Sequence, residues 1–315
     1  MASSAQYLVA DVGGTNTRIA LGGADGQLGN LRTVKNDDVK DLTTILADAL
    51  AAAVPSRPRL AALAVAGPVD GDEVRLTNRA WKFSRSELCR ALELDELVVA
   101  NDFLAVAHAL PVLAAADLLP LEAHGASLDG NLLACGPGTG FGVAALVRGG
   151  REPVALASEA GHMRLGAATA EEARVIARLA RDRGAVAVED VLSGNGLVAA
   201  HQILSRQSAT TDEIVSEAKA GDQSARATVD FFMGVFGRVA GDLALALDAR
   251  GGVFIAGGLG QALADFYATS PFAAAFREHP PYQDRLAAIP IFIIMHPFPG
   301  LIGAQQIALG RLHQS

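Results

Sequence analysis

Cysteine is nearly absent from this chain, with only Cys89 and Cys135 among 315 residues. Two cysteines exclude a disulfide framework and a four-cysteine zinc site, the usual supports of cysteine-rich domains. A chain with only two cysteines is typical of a reducing compartment, so we expect a cytoplasmic protein.

The chain also lacks an excess of positive charge. Its 26 Lys and Arg residues are outnumbered by 34 Asp and Glu residues, which gives a formal net charge of −8, and no dense basic block occurs. A nucleic-acid or membrane-surface partner is therefore not expected. No apolar run approaches the roughly 20 residues that span a bilayer, so no membrane segment is expected. Only six residues, without a basic cluster, precede the first apolar run, so we expect no targeting peptide either.

Short apolar runs bounded by turn residues predict strands near residues 7–12, 17–22, 60–66 and 96–100. Between them, "VKDLTTILADALAAAV" has helical periodicity, and "SRSELCRALEL" begins with Ser84 and Glu87 at the spacing of a helix capping box. Two hairpinned strands followed by alternating helices and strands indicate an α/β domain with a mixed sheet. Because 315 residues are many for one core, we predict two domains, with a boundary near Pro111.

The second part of the chain repeats the plan of the first. The stretch "LLACGPGTGFGVAAL" at 132–146 has the same apolar run, Gly/Thr turn and second apolar run as "YLVADVGGTNTRIAL" at 7–21, which hints at an internal duplication. Aligning the two puts Cys135 opposite Asp11, so only the first copy carries a carboxylate. Further on, residues 222–248 predict one long helix, and "GLIGAQQIALGRLHQS" predicts a terminal helix that packs back on the first domain.

Three apolar runs end in glycine-rich turns, which are Gly13-Gly14-Thr15, Gly138-Thr139-Gly140 and Gly257-Gly258. One such turn is ordinary in a hairpin. Three together favour phosphate binding, because their unblocked backbone N–H groups can hold phosphate oxygens without a basic side chain. A turn of this kind needs a cation to neutralise the phosphate. Asp11, at the rim of the first turn, is therefore a candidate Mg²⁺ ligand, the alternative being a residue that caps its own loop.

Two other phosphate-binding motifs are excluded by inspection. A P-loop requires Gly-Lys-Ser/Thr, and no such tripeptide occurs. The dinucleotide fingerprint requires a third glycine where Val143 stands, and a helix where "FGVAALV" predicts a strand.

The stretch "LVVANDFLAVAHAL" ends a strand on Asn101 and Asp102 and continues as an apolar helix. Ligands of α/β sheets bind at the carboxyl ends of strands, so this pair is well placed for a substrate. The alternative is that the acid caps the helix. As functional residues, Asp102 would accept a proton from a hydroxyl nucleophile, and Asn101 would orient the same substrate by donating and accepting hydrogen bonds.

The stretches "LASEAGHMRLG" and "EDVLSGNGL" place Glu159, His162 and Glu189 among small neighbours that leave room for a ligand. Acceptor carboxylates and a histidine suit a sugar, because a sugar presents many hydroxyl groups. The competing interpretation is a metal site formed by the same three residues, although HxxxH and HExxH spacings are absent.

In chain order, "DVGGTNTR", "NDF", "GPGTG", "SEAGH", "EDVLSG" and "FIAGG" resemble the motifs of the bacterial glucokinases of the actin-like (ribonuclease H-like) superfamily. The resemblance extends over nearly the whole chain and depends on the ordered set rather than on one motif. It implies a two-domain α/β actin-like ATPase fold with an interdomain cleft, a small domain at 1–111 and 302–315, and a large domain at 112–301. It also implies a homodimeric enzyme of glycolysis that uses Mg²⁺ and transfers the γ-phosphoryl group of ATP to the 6-hydroxyl of glucose.

The resemblance assigns roles to individual residues. Asp102 is similar to the catalytic base of the family, whereas the metal-ligand role of Asp11 follows from its position at the rim of the first glycine turn. The residues implied to bind the sugar are Asn101, Asp102, Glu159, His162 and Glu189. The residues implied to bind the nucleotide are Asp11, Gly13, Gly14, Thr15, Asn16, Gly138, Thr139, Gly140, Gly257 and Gly258.

The chain departs from the usual family pattern near the implied sugar site. Ser158 and Ala160 flank Glu159 where glycines are usual, and Asn195 stands where proline is common. A requirement for positive φ at residue 160 would strain Ala160. The zinc cysteine cluster of the related repressor–kinase group is missing, so the chain is not of that branch. The alternatives are a kinase for another hexose or an N-acetylhexosamine, a sugar-sensing regulator, and an actin-like ATPase without a sugar substrate.

Overall fold

The computed structural model describes residues 6–23, 25–53, 56–77, 79–122, 128–150 and 152–313. The chain divides into two compact units, of which the first combines Met1–Leu113 with His296–Ser315 and the second comprises Ala114–Met295. The small domain predicted from the sequence, at 1–111 and 302–315, contains residues 1–5 and 314–315, and these lie outside the described residues. None of the helices that the structure describes has both the length and the apolar character needed to cross a membrane.

The strands are β1 (Tyr7–Val12), β2 (Asn16–Gly22), β3 (Leu28–Lys35), β4 (Leu60–Val65), β5 (Glu73–Arg75), β6 (Lys82–Ser84), β7 (Glu96–Asn101), β8 (Leu118–Glu122), β9 (Leu132–Pro137), β10 (Phe141–Val147), β11 (Val154–Ser158), β12 (Gly252–Ile255) and β13 (Ile291–Ile294). The α-helices are α1 (Leu42–Ala51), α2 (Arg85–Ala91), α3 (Asp102–Ala109), α4 (Ala170–Arg183), α5 (Gly194–Ser205), α6 (Thr211–Ala220), α7 (Gln223–Ala246), α8 (Gly258–Ala262), α9 (Phe272–Arg277), α10 (Gln283–Ala287) and α11 (Pro299–Leu312). The four strands predicted at the start of the chain, the long helix and the terminal helix are all present.

The first unit is built on a five-stranded sheet in the order β3-β2-β1-β4-β7. β1 and β2 form an antiparallel hairpin, whereas β1, β4 and β7 run parallel. Side chains of β1 alternate between the two faces of the sheet, because the period of a strand is two. Leu8 and Ala10 pack in a core with α1 and α2, and Tyr7 and Val9 pack in a core with α3 and α11. Asp11 therefore belongs to the α11 face of the sheet.

The second unit repeats this arrangement in a six-stranded sheet with the order β11-β10-β9-β12-β13-β8. β9 and β10 form an antiparallel hairpin, and β9, β12 and β13 run parallel. The first five strands thus match the first unit in order and direction, which agrees with the duplication read from the sequence. α7 lies in the core of this unit, where the Phe236 ring packs edge-on against Phe141 at 5.7 Å between centroids. Cys135 is fully buried on β9, and burial raises the pKa of its thiol to about 12.

Candidate active site

The turn between β1 and β2 is held in place by one buried side chain, Asn36. Its Nδ2 donates to the carbonyl oxygens of Gly13 at 2.8 Å and Gly14 at 3.1 Å, and its backbone N–H donates to the carbonyl of Thr15 at 2.9 Å. The Gly13 N–H donates to Asn16 O at 3.1 Å. The N–H groups of Gly14 and Thr15 have no acceptor among the described residues. Because the carbonyls are tied to Asn36, these two donors are the groups that the turn can offer to an anion.

Asp11 precedes this turn with its side chain 17% exposed. Arg18 on β2 approaches it, with 3.5 Å between Nη1 and the Oδ2 of Asp11. Burial raises the pKa of Asp11, and the positive charge of Arg18 opposes that rise only in part. A Cβ on Gly300, at the start of α11, would lie 3.1 Å from the Asp11 Cγ, so the carboxylate lies directly against that helix.

The ends of β1 and β7 emerge at one edge of the first sheet. The register aligns Val12 with Val65 of β4, and Val65 with Asn101 of β7. Since neighbouring strands are about 4.8 Å apart, the two strand ends lie roughly 10 Å apart. The glycine turn and the Asn101–Asp102 pair are therefore near neighbours in the first unit.

Asn101, rather than Asp102, is the N-cap of α3. Its Oδ1 accepts from the N–H groups of Phe103 at 2.9 Å and Leu104 at 3.3 Å, and its Nδ2 donates to Gly67 O at 3.4 Å. The half-buried Asp102 is the first residue of the helix, and its Oδ1 also accepts from Phe103 N–H at 2.9 Å. Because the Asn101 oxygen already accepts two helix N–H groups, Asn101 can offer a substrate its Nδ2 donor but no free acceptor.

Glu159, His162 and Glu189 lie together in the second unit. The two loops that carry them are joined by hydrogen bonds from Val188 N–H to Met163 O at 2.9 Å and from Leu165 N–H to Val186 O at 2.9 Å. As a result, His162 Nε2 lies 3.9 Å from Glu159 Oε2, and His162 Nδ1 lies 3.4 Å from Glu189 Oε1. No group of three His, Cys, Asp or Glu side chains within the described ranges is arranged to hold a metal ion, so the competing metal interpretation has no support.

The strain considered at residue 160 does not occur. Ala160 begins a short 3₁₀ turn that runs to His162, and it is not among the described non-glycine residues with positive φ. Its N–H donates to the Ser158 hydroxyl at 3.2 Å. Ser158 and Ala160 therefore build this loop without the glycines that are usual in the family.

The Gly138-Thr139-Gly140 turn lies beside the Glu189 carboxylate. The turn is closed by a hydrogen bond from Gly138 N–H to Gly140 O at 2.8 Å. A Cβ on Gly140 would lie 2.7 Å from Glu189 Oε2, so a larger residue there would displace the carboxylate. Glu189 is thus the residue that touches both the His162 cluster and the glycine turn.

Gly138 and Thr139 of this turn also line a cavity of about 480 Å³. Three helices begin at its wall, namely α5, α6 and α8. Gly257, which precedes α8, has a φ of +91°, and a Cβ there would lie 2.4 Å from Pro137 O, so both the backbone and the space require glycine. The lining residues are Gly138, Thr139, Gly194, Asn195, Thr211, Asp212, Gly258 and Leu259.

Five of these lining residues were not predicted as site residues from the sequence; they are Gly194, Asn195, Thr211, Asp212 and Leu259. The available signal was the pair of helix caps, since Ser193 accepts from Gly196 N–H at 3.0 Å and Thr210 from Glu213 N–H at 3.3 Å. Such caps mark the start of a helix but do not indicate what lies in front of it.

The chain is similar to known proteins in both sequence and fold. A family model described as Glucokinase matches residues 8–310. The chain is 39% identical over 309 residues to the glucokinase of Paramagnetospirillum magneticum, which covers 95% of this chain and 96% of that protein. The crystal structure of a glucokinase from an Antarctic psychrotroph is 33% identical, with a TM-score of 0.87 and coverage of 98% of this chain and 99% of that one.

A more distant structure shares the fold alone. It is a ROK family glucokinase from Streptomyces griseus in complex with glucose and AMPPNP, 20% identical, with a TM-score of 0.62 and coverage of 98% of this chain and 99% of that one. The fold class predicted from the sequence, the α/β actin-like ATPase fold, is confirmed by these structures. Because the family model matches nearly the whole chain and a curated relative is 39% identical, the chain belongs to the glucokinase family.

Proposed function

We propose that the protein transfers the γ-phosphoryl group of ATP to the 6-hydroxyl of glucose, giving glucose 6-phosphate. The observation that carries this proposal is the position of Glu189, which touches both the His162 cluster and the Gly138-Thr139-Gly140 turn. A sugar at the cluster therefore has hydroxyl groups beside a turn suited to phosphate. That adjacency is what a sugar kinase requires and what a sugar-binding regulator does not.

The sugar contacts come from three side chains that a ligand can reach. Glu159 and His162 are 77% and 63% exposed, and Glu189 is 33% exposed. Each carboxylate accepts hydrogen bonds from sugar hydroxyls, and His162 donates or accepts according to its tautomer. Charge-assisted hydrogen bonds of this kind contribute about 1.5–3 kcal/mol each to binding.

The nucleotide occupies the cavity that Gly138 and Thr139 of the glycine turn help to line. Its volume of about 480 Å³ is within the range of pockets that hold small ligands. The N-termini of α5 and α6 at its wall favour negative charge, and the N–H groups of Thr139 and Gly140 have no acceptor among the residues described. Asn195 and Asp212 are the polar side chains in the wall that suit the hydroxyls and base of a nucleoside.

Phosphoryl transfer needs alignment and charge neutralisation more than covalent chemistry. Asp102 accepts the proton of the attacking hydroxyl, and the Asn101 Nδ2 orients that hydroxyl or the ring beside it. The free N–H groups of Gly14 and Thr15 stabilise negative charge on the phosphoryl oxygens.

The residues present fit a Mg²⁺ ion that is held mainly by the nucleotide. Mg²⁺ prefers one or two carboxylates together with substrate phosphates and water, and Asp11 provides one partly exposed carboxylate at the rim of a phosphate-type turn. No three-carboxylate cage is needed, and the described part of the chain contains none. When bound, the ion supplies charge neutralisation of the phosphates.

Cellular setting and assembly are part of the same proposal. Two free cysteines, one of them buried, favour a reducing compartment such as the cytoplasm, where glucose 6-phosphate enters glycolysis. The homodimer implied by the family resemblance is tested by light scattering of the purified chain.

A coupled assay across sugars and nucleotides tests the activity. We expect ATP with glucose to give the highest kcat/KM when compared with mannose, fructose and N-acetylglucosamine, and the rate to require Mg²⁺. Phosphorus NMR of the product would then show a sugar 6-phosphate. ATP hydrolysis without formation of a phosphosugar would refute the proposal. A strong preference for another sugar would show that this sugar, and not glucose, is the substrate.

A further inference from the structure

The start of α11 lies in contact with the Asp11 carboxylate. A Cβ on Gly300 would lie 3.1 Å from Cγ, 3.2 Å from Oδ1 and 3.3 Å from Oδ2 of Asp11. Contacts of 3.0–3.4 Å are tighter than nine in ten Cβ contacts in proteins, so the neighbour would have to move by a few tenths of an ångström. Glycine at position 300 therefore lets the carboxylate lie where it does without this displacement.

This contact follows from the alternation of β1. Tyr7 and Val9 pack on the face that α11 covers, together with Leu301 and Ala304 of that helix. Asp11 is two residues beyond Val9 and so lies on the same face. Helix α11 thus covers this core and also places its first turn beside the Asp11 carboxylate.

Arg18 also contacts the Asp11 carboxylate. Its Nη1 lies 3.5 Å from Asp11 Oδ2, and its guanidinium carbon lies 5.1 Å from the ring centre of Phe298. Phe298 is the residue that precedes α11, so the arginine bridges β2 and the start of the helix. The Asp11 carboxylate is consequently contacted both by a cation that packs on Phe298 and by Gly300 of the same segment.

We infer that Gly300 is a positioning residue for the phosphoryl-transfer reaction and that it acts through the Asp11 carboxylate. The inference rests on the proposed function, in which Asp11 is a ligand of the cation that accompanies the nucleotide phosphates. Segment 298–300 then sets where the carboxylate lies, through the close approach of Gly300 and through Arg18, which packs on Phe298 and contacts Asp11. Shifting the carboxylate by a few tenths of an ångström reduces its fit to that cation while leaving its charge intact.

Gly300→Ala is the direct test, and Gly310→Ala is its control on the same helix, because a Cβ at Gly310 meets nothing within 4 Å. We expect Gly300→Ala to lower kcat roughly 3- to 10-fold and to raise the Mg²⁺ concentration required for half-maximal rate, because positioning errors well below 1 Å still cost rate. Glucose affinity measured by calorimetry without nucleotide should be unchanged. Gly310→Ala should keep the wild-type kcat, and a wild-type kcat in Gly300→Ala would overturn the inference.

A second measurement does not depend on activity. Alanine is the better helix former, so both substitutions should raise Tm, but in Gly300→Ala crowding of the carboxylate opposes the gain. In an Asp11→Ala background that crowding is gone, and we expect Gly300→Ala to raise Tm by more than it does in the wild type. Equal Tm changes in the two backgrounds would overturn the inference. A wild-type protein that phosphorylates no sugar would refute the proposed function instead, and the Tm coupling would still decide whether Gly300 and Asp11 interact.

Discussion

Gly303→Ala tests how closely α11 must approach α3 in the first unit. A Cβ on Gly303 would lie 1.7 Å from the carbonyl oxygen of Ala105, half the 3.4 Å at which ordinary contacts begin. The obstacle is backbone, which cannot rotate away as a side chain can. Overpacking of this kind costs about 1–3 kcal/mol or more, and the better helix propensity of alanine returns at most about 1 kcal/mol. We therefore expect a net loss of about 2 kcal/mol in the free energy of unfolding.

Thermal unfolding followed by circular dichroism measures this loss. A decrease of about 2 kcal/mol corresponds to a Tm lower by roughly 5–10 °C for a unit of this size. Gly310→Ala, on the exposed side of the same helix, should instead keep or raise Tm. Because α3 begins at Asp102, the displaced helix should also lower kcat. A Gly303→Ala protein with the Tm of Gly310→Ala would show that the two helices do not pack at this distance.

Three further changes test individual side chains. Asp102→Asn should keep glucose affinity but lower kcat by roughly 10²–10⁴-fold, the usual contribution of a general base, and near-normal turnover would refute that role. Glu159→Gln and Glu189→Gln should each weaken glucose binding by about 1.5–3 kcal/mol in calorimetry, whereas Glu171→Gln on the exposed face of α4 should not. The raised pKa of Asp11 means that the folded state disfavours the ionised carboxylate, so its effect on stability becomes unfavourable as pH rises through that pKa. Asp11→Asn should therefore be more stable than the wild type at pH 7 but not at pH 3, although inactive, and an equal difference in the free energy of unfolding at both pH values would contradict this reasoning.

Much of the first sheet could be predicted because its strands are buried and short. The apolar run of β1 and the turn residues after it mark both the strand and the hairpin, and the register of β1 with β2 follows from them. Strands β3 and β11 carry no such signal. They are edge strands with mostly exposed residues, so neither apolar alternation nor a continuous apolar run indicates them.

The sequence allowed individual residues of the candidate site to be named, but it did not allow their contacts with one another to be predicted. The motif residues could be named because glycines, carboxylates and a histidine with small neighbours stand out locally. Asn36 could not be named, since the turn that it holds lies more than 20 residues away and its own neighbours are ordinary polar residues. The contact of Gly300 with Asp11 joins two ends of the sequence, and only packing reveals it.

The division of the first unit between two distant segments has a consequence for biosynthesis. The second unit is one continuous segment, whereas the core between β1, β4 and α11 needs residues of α11 such as Leu301, Ala304 and Ala308. Until that helix has emerged from the ribosome, the face of the first sheet bearing Tyr7 and Val9 lacks the part of its cover that α11 supplies. Nascent chains are extended at about 5–20 residues per second, so this apolar surface waits on the order of ten seconds or more for residues 296–313. During that interval part of the apolar face stays uncovered, and Asp11 acquires its final surroundings only after residues 298–300 have emerged.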